Sequence, residues 1–413
     1  MKKNTLYATL ALLFASALAY SAGFTILEQS TIGMGRSLAG MTAETNEPSA
    51  LYFNPSSTAW FTRPSVHIGL HILSGDVRIT SNEGASTLPG RDSGDLEGVA
   101  YIPNFSLVYP LKDRLTLNLT SSATSGARTE YPSDWKGKYF AIDSSVAVME
   151  IQPSLSYRVL DNLSFAVGFM AQYAQISMER AIAPALGNTT MKLEGDGWAY
   201  GYTLGLTWKA LEKTTVGLSY RSRMEHKVTT RAKYNGPGVG FLPFLGLTDK
   251  ADMTVIMPQS VNFGVIQELT DKWRVMTDIA WTDWSTTREI KTEFRNGSTQ
   301  YQPLNWHDSW RFALGTDYKL TDKWTVSFGV AFDEEATPTP NKVCMLPDCN
   351  RYWISAGVAY QMTENLRFDL SWMHLTYKRS RIHEEIPGAP GQYIDGEVYG
   401  YSDLCSFGLK YDF

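Results

Sequence analysis

The end of the chain alternates. From Tyr399 the odd positions read Tyr399, Tyr401, Cys405, Phe407, Leu409, Tyr411 and Phe413, and the even ones include Gly400, Ser402, Ser406, Gly408, Lys410 and Asp412. Successive side chains of a strand point to opposite faces, so this segment has one greasy face and one small or polar face. A strand of this kind, closing on an aromatic in a chain that begins with an export signal, marks an outer-membrane β-barrel. The expected fold class is therefore all-β: a transmembrane antiparallel barrel of a Gram-negative outer membrane.

The export signal is residues 1–21. Lys2 and Lys3 supply the positive end, Leu6 to Leu18 the apolar core, and Ala19-Tyr20-Ser21 the small-residue cleavage site. No other stretch approaches the roughly 20 apolar residues that a membrane helix needs. The mean hydropathy of -0.21 would suit a soluble protein. A barrel explains it, because lumen-facing and lipid-facing residues average out along each strand. A net charge of -5 with no basic run gives no sign of nucleic-acid binding, and aromatics at 13% match the belts selected at membrane interfaces.

Past Arg63, strands alternate with tight charged turns and longer polar loops. The turns are Lys112-Asp113-Arg114, Asp161-Asn162, Glu212-Lys213, Thr270-Asp271-Lys272, Thr321-Asp322-Lys323 and Thr363-Glu364-Asn365. Short turns belong on the periplasmic side. These turns join twelve strands, and a first strand near Pro64 plus the last one bring the count to about fourteen across residues 63–413. Facing follows from parity. Trp198, Tyr200, Tyr202, Leu204, Leu206 and Trp208 share one face, which must be the lipid face, since a one-residue slip would turn every aromatic inward. Residues 22–62 do not alternate and are rich in small residues, with Gly33, Gly35, Gly40 and the turn Asn54-Pro55-Ser56. They read as a plug in the lumen; the competing reading is a disordered tail.

The fifth strand bears on cargo. Its inward parity reads Ala166, Gly168, Met170, Gln172, Ala174, Ile176, Met178 and then Arg180. An apolar wall with one placed cation resembles a small-molecule site more than a hydrated porin, and methionine adapts to varied ligands. Arg180 can anchor a carboxylate head, or it can pair with an inward acid such as Asp278, Asp317 or Asp369. His307 has the inward parity of Arg311 and is a candidate second donor. The apolar loop Tyr234 to Lys250, with Phe241, Leu242, Phe244 and Leu245, reads as an outer capture loop or a lid. Cys344 and Cys349, in an oxidising compartment, read as a loop disulfide, with no third ligand nearby for a metal. No cofactor and no catalytic constellation is expected. A diffusion porin is disfavoured by the apolar parity, a barrel phospholipase by the lack of His with Ser and Asn on the outer face, and a receptor role for the loops stays open.

The ordered set Ala22-Gly23-Phe24, Gly33-Met34-Gly35-Arg36, Asn54-Pro55-Ser56, Gly126 to Tyr131, Tyr173 to Arg180, Gly197 to Gly201, Tyr220-Arg221-Ser222, Trp310 to Gly315 and Ala331-Phe332-Asp333 resembles the FadL family over nearly the whole mature chain. The resemblance implies outer-membrane transport of long-chain fatty acids or other hydrophobic compounds. It further implies a fourteen-stranded barrel, an N-terminal hatch and lateral exit through a gap made by an inward kink of the third strand. By the same resemblance Gly126 marks the kink, Asn54, Pro55 and Ser56 form the hatch motif, Phe24 reaches the pocket, and Arg180 meets the carboxylate. The chain departs in three places: Ser56 replaces an alanine, His307 stands where a lysine is usual, and the loop after Arg180 is short. These leave a neutral aromatic hydrocarbon open as the cargo. Expected partners are that ligand, outer-membrane lipid and lipopolysaccharide, and the barrel-assembly machinery during biogenesis.

Overall fold

The computed structural model describes residues 23, 25–81, 88–240, 249–386 and 389–413. The signal segment 1–21, Phe24, and the loop residues Phe241, Leu242, Phe244 and Leu245 lie outside them. One sheet of eighteen antiparallel segments closes on itself. The first six are β1 (Ser65–Ser81), β2 (Ser93–Lys112), β3 (Leu115–Glu130), β4 (Asp143–Leu160), β5 (Leu163–Ala181) and β6 (Thr190–Leu211). Four crossings follow, each broken in two. These are β7 (Thr214–Arg221) with β8 (Met224–Asn235), β9 (Lys250–Met257) with β10 (Ser260–Glu268), β11 (Trp273–Thr282) with β12 (Glu289–Phe294), and β13 (Thr299–Pro303) with β14 (Ser309–Lys319). The last four are β15 (Trp324–Asp333), β16 (Arg351–Gln361), β17 (Leu366–Glu385) and β18 (Tyr393–Asp412). Counting each broken pair once gives a fourteen-stranded barrel. β1 pairs with β18 from Ser65↔Asp412 to Ser81↔Gly396, and the Phe413 amide donates to the Pro64 carbonyl, so no free edge remains at the closure.

The short turns fall between consecutive strands as expected, because each is a polar interruption between two period-2 runs. The predicted lipid face is the exposed one: Trp198, Tyr200, Tyr202 and Trp208 lie on it, while Ala199, Thr203 and Thr207 are buried. The Tyr173 and Trp198 rings meet across β5 and β6 at 5.1 Å, tilted by 44°, part of an interfacial aromatic belt.

Residues 25–62 lie inside the barrel. A single helical turn, Thr31–Met34, is capped by the Ser30 hydroxyl, which accepts from the Gly33 amide at 3.1 Å. Two 3₁₀ turns follow, Pro48–Tyr52 and Pro55–Thr58. Buried charges tie the segment to the wall. Arg36, fully buried, reaches Glu44 at 2.9 Å and Asp317 at 2.7 Å; Arg274 from β11 closes the ring on Glu44 at 3.0 Å and Asp317 at 2.6 Å. Arg367 grips Glu47 and Asp369. Of the acids offered as partners for Arg180, Asp317 and Asp369 are therefore engaged elsewhere. Asp278 accepts from the Thr42 hydroxyl at 2.5 Å. Small wall residues make room for the segment: a β-carbon at Gly329 would collide with the Arg36 backbone, and one at Gly217 with the Thr42 carbonyl. Asn54 donates to the Thr42 carbonyl at 2.7 Å, and the Ser56 hydroxyl sits 2.7 Å from Thr207 on β6. Ser56, at the position where the resemblance implies alanine, thus adds a wall contact.

The β2–β3 ladder ends well short of the outer ends of its strands. β2 and β3 pair from Lys112↔Leu115 only as far as Asn104↔Ser122. Beyond that, β2 stays paired to β1 up to Ser93, and β3 to β4 up to Glu130. A bulge between Ala123 and Ser125 starts the divergence, and the strand is buried without alternation from Ser122 to Ala127. Bare backbone at membrane depth is tolerated only where protein or a cavity covers it. Here the N-terminal segment covers part of it: the Ile26 amide donates to the Thr124 carbonyl at 2.9 Å, and Thr25 bridges Ser125.

The disulfide expectation is corrected: Cys344 and Cys349 are free thiols, as is Cys405. Burial pushes the Cys349 thiol up to about 12 and raises Cys344 too. The loop is held by other means. The Cys344 amide donates to Glu384 at 2.7 Å, and its carbonyl accepts from the Tyr131 hydroxyl at 2.7 Å.

Candidate functional site

Arg180 stands at the outer end of β5, seventeen residues above Leu163, where that strand leaves its periplasmic turn. It lines a cavity of about 440 Å³ together with Met178, Met191, Met253, Met345, Ile290 and Leu193. That volume lies within the range of small-molecule sites, and four methionines give it an adaptable apolar wall. Among the described residues the guanidinium makes a single hydrogen bond, and it is long, 3.5 Å from Nη2 to the Gln300 side-chain oxygen. Glu384 acts on it electrostatically, but that carboxylate already accepts the Cys344 amide. A weakly held cation on an apolar wall can receive an anionic head group.

Below this cavity the lumen narrows to an apolar seam. Ile176, Met178, Val255, Ile290, Leu304 and Leu346 line it. Met170, fully buried, and the edge-to-face pair Trp284 and Trp306, 5.0 Å apart, belong to the same apolar cluster. Of the residues expected on β5, Ile176, Met178 and Arg180 therefore come together along one route, and Met170 packs behind it. Gly126 is buried and pairs with Ala147, within the run where β3 leaves β2.

His307 does not join them. It lies between β13 and β14 rather than on a strand, and its Nδ1 is 2.9 Å from the Asp308 carbonyl. The break in that crossing removes the alternation on which its inward parity rested. It lines none of the cavities described.

At the foot of the seam is a second cavity, of about 90 Å³, bordered by Leu27, Tyr52 and Phe53 of the N-terminal segment, Thr124 and Ser125 of β3, and Met224, Met257 and Trp284. Two arginines face it. Arg221 is neutralised by Glu150 at 2.6 Å and lies over the Tyr52 ring at 4.6 Å. Arg311 is different: it is 3% exposed, and among the described residues its Nε and Nη1 meet no acceptor. Sequence reasoning treated Arg311 only as a parity marker for His307. An inward arginine near the start of a strand rich in apolar residues was the available signal.

Glu28 sits on the same segment, 2% exposed, with Oε2 unpartnered. Burial raises its carboxyl to about 7, against the pull of Arg351. A raised acid favours the folded state below its unfolded value and loses that contribution as pH rises through the folded one. Seating of residues 25–62 is expected to be tightest below about pH 4.5 and to weaken toward and past pH 7. Hydrogen exchange at pH 5.5 and 8.5 should show amides near Ile26 losing protection in the wild type but not in Glu28→Gln. Equal loss in both would remove Glu28 as the cause.

Known proteins of this architecture agree. The sequence profile described as "Outer membrane protein transport protein (OMPP1/FadL/TodX)" matches residues 12–413. The long-chain fatty acid transport protein of Escherichia coli K12 is 27% identical, over 91% of this chain and 93% of its own length. Outer membrane protein P1 of Haemophilus influenzae is also 27% identical, over 93% and 92%. Among solved structures, a Pseudomonas aeruginosa FadL homologue superposes with a TM-score of 0.86 at 23% identity, covering 95% of this chain and all of its own. The Pseudomonas putida toluene transporter TodX gives 0.70 at 17%, covering 96% and 99%. The chain is an outer-membrane β-barrel and belongs to the OMPP1/FadL/TodX family of outer membrane transport proteins.

Proposed function

We propose that this protein carries hydrophobic small molecules, long-chain fatty acids first among them, passively across the outer membrane. Cargo enters the methionine-lined outer cavity, with its head group on Arg180, and descends the apolar seam. It leaves sideways where β2 and β3 part, with residues 22–62 acting as a hatch pinned by Asn54, Pro55 and Ser56. The observation that carries this reading is a weakly engaged arginine beside four methionines on the wall of one cavity. Lateral exit suits such cargo, because a molecule that partitions into lipid avoids the hydrated lipopolysaccharide layer and a polar lumen. Lipopolysaccharide would face the charged strand ends beyond the Tyr173 and Trp198 belt.

A neutral aromatic hydrocarbon is the second reading. It is favoured by the Trp284 and Trp306 pair on the apolar column and by the absence of a second cation at His307 in the outer cavity. Uptake of labelled oleate and labelled toluene, by cells lacking their own transporter, separates the two. For a fatty-acid carrier, Arg180→Ala should cut oleate uptake about tenfold or more, in line with a lost charge-assisted contact. Toluene uptake indifferent to Arg180, with no oleate uptake in the wild type, would make the cargo a hydrocarbon.

A further inference from the structure

We propose that Arg311 forms a second, inner anion station, which holds the carboxylate head of an amphipathic cargo just before the wall break. This deepens the transport reading above and rests on it. The first observation is the under-satisfied guanidinium. A buried charge without partners is costly, and buried polar atoms in folded proteins are almost always satisfied. Arg311 has two nitrogens, Nε and Nη1, with no acceptor among the described residues.

The surrounding charges explain why. Asp333, opposite Arg311 in the β14–β15 ladder, is taken by Arg351, whose Nη2 lies 2.8 Å away. Asp278 acts on Arg311 electrostatically, but its oxygens accept from the Thr42 hydroxyl and amide at 2.5 and 3.3 Å. Arg221, across the cavity, already has Glu150. The Trp353 ring lies 5.9 Å from the Arg311 guanidinium and offers a face but no acceptor. Asp333 lines the cavity but bonds Arg351, which also holds Asp348, and Asp278 spends its hydrogen bonds on Thr42, so among the described residues no carboxylate bonds the Arg311 Nε or Nη1.

The second observation is placement. The cavity of about 90 Å³ suits a head group rather than a whole chain. Thr124 and Ser125 border it, the two residues at which β3 turns away from β2. Arg311 stands eight residues above Lys319 at the periplasmic end of β14, whereas Arg180 stands seventeen above Leu163 on β5. That difference is roughly 30 Å of extended chain before strand tilt shortens it. Apolar side chains of one cluster fill the interval. An anionic amphiphile released from Arg180 would meet a second cation only at the level of the exit.

Uptake of oleate and of uncharged oleyl alcohol tests this in cells carrying full-length Arg311→Met, Arg311→Lys or Arg180→Met. For Arg311→Met the expected result is a fall of about tenfold in maximal oleate uptake, with oleyl alcohol uptake unchanged and Arg311→Lys restoring most of the loss. Oleate uptake at the wild-type rate in Arg311→Met overturns the station. So does an equal loss of oleate and oleyl alcohol that Arg311→Lys does not repair, since that pattern marks a packing role. A wild type that takes up neither compound overturns the transport reading instead. Should Arg311→Met fail to fold, photolabelling of wild type in non-ionic detergent decides. A fatty acid with a diazirine beside its carboxyl should mark peptides holding Thr124, Ser125 or Trp284. Labelling confined to Met178 and Met345 overturns the proposal.

Discussion

Gly329→Leu is expected to unseat the N-terminal segment and open the lumen. A side chain at Gly329 runs into the Arg36 backbone, which cannot shift while its guanidinium is clamped by Glu44 and Asp317. Lifting Arg36 strands those two acids against Arg274 alone, and breaking a buried ion pair typically costs about 3–5 kcal/mol. The barrel itself keeps its ladder, because Gly329 pairs with Gly315 and Ser355 through backbone atoms that a leucine leaves in place. The variant should therefore still migrate as a heat-modifiable barrel, yet conduct ions in planar bilayers where the wild type stays nearly silent. Cells should become sensitive to large hydrophilic antibiotics. Wild-type conductance in Gly329→Leu would mean that the segment does not seal the lumen.

The second large effect is expected at Gly126. The residue lies in the buried run Ser122 to Ala127, just beyond the bulge where β3 abandons β2. Glycine at such a point marks a bend or a close approach of chain or ligand. Gly126→Val adds three carbons where the proposed exit is narrowest, while the pairing with Ala147 uses backbone groups that valine retains. Oleate uptake should drop to the background of transporter-deficient cells, with oleate binding to the purified barrel within about twofold of wild type. Normal uptake would sink lateral exit, whereas lost binding would point to a distorted cavity instead.

How much of this was legible in advance varies by residue. The aromatic stripe Trp198 to Trp208 and the turns from Asp113 to Asn365 could be read directly, because a strand's two faces and a polar turn are local properties of a few neighbours. His307 was misplaced because parity holds only while the strand continues, and the crossing breaks between Pro303 and Ser309. The cysteines were read as a pair from spacing and compartment, and whether two sulfurs meet is settled only by the fold around them. Arg180 stood out, since its own strand announced an apolar inward face. Arg311 was not, because its importance is a missing partner, and only the fold shows that Arg351 has taken Asp333 and Thr42 has taken Asp278.

The same division holds for the molecule as a whole. By itself the sequence determined the barrel, its strand number and which face meets lipid. Each of these follows from period-2 alternation set against a low-dielectric solvent that tolerates no unpaired backbone. Only the tertiary structure decided what occupies the lumen, where the β2–β3 ladder parts, and which cations remain uncommitted. Those outcomes depend on residues such as Arg36 and Asp317, 281 positions apart. Barrel closure brings such pairs together, and no local pattern encodes their meeting.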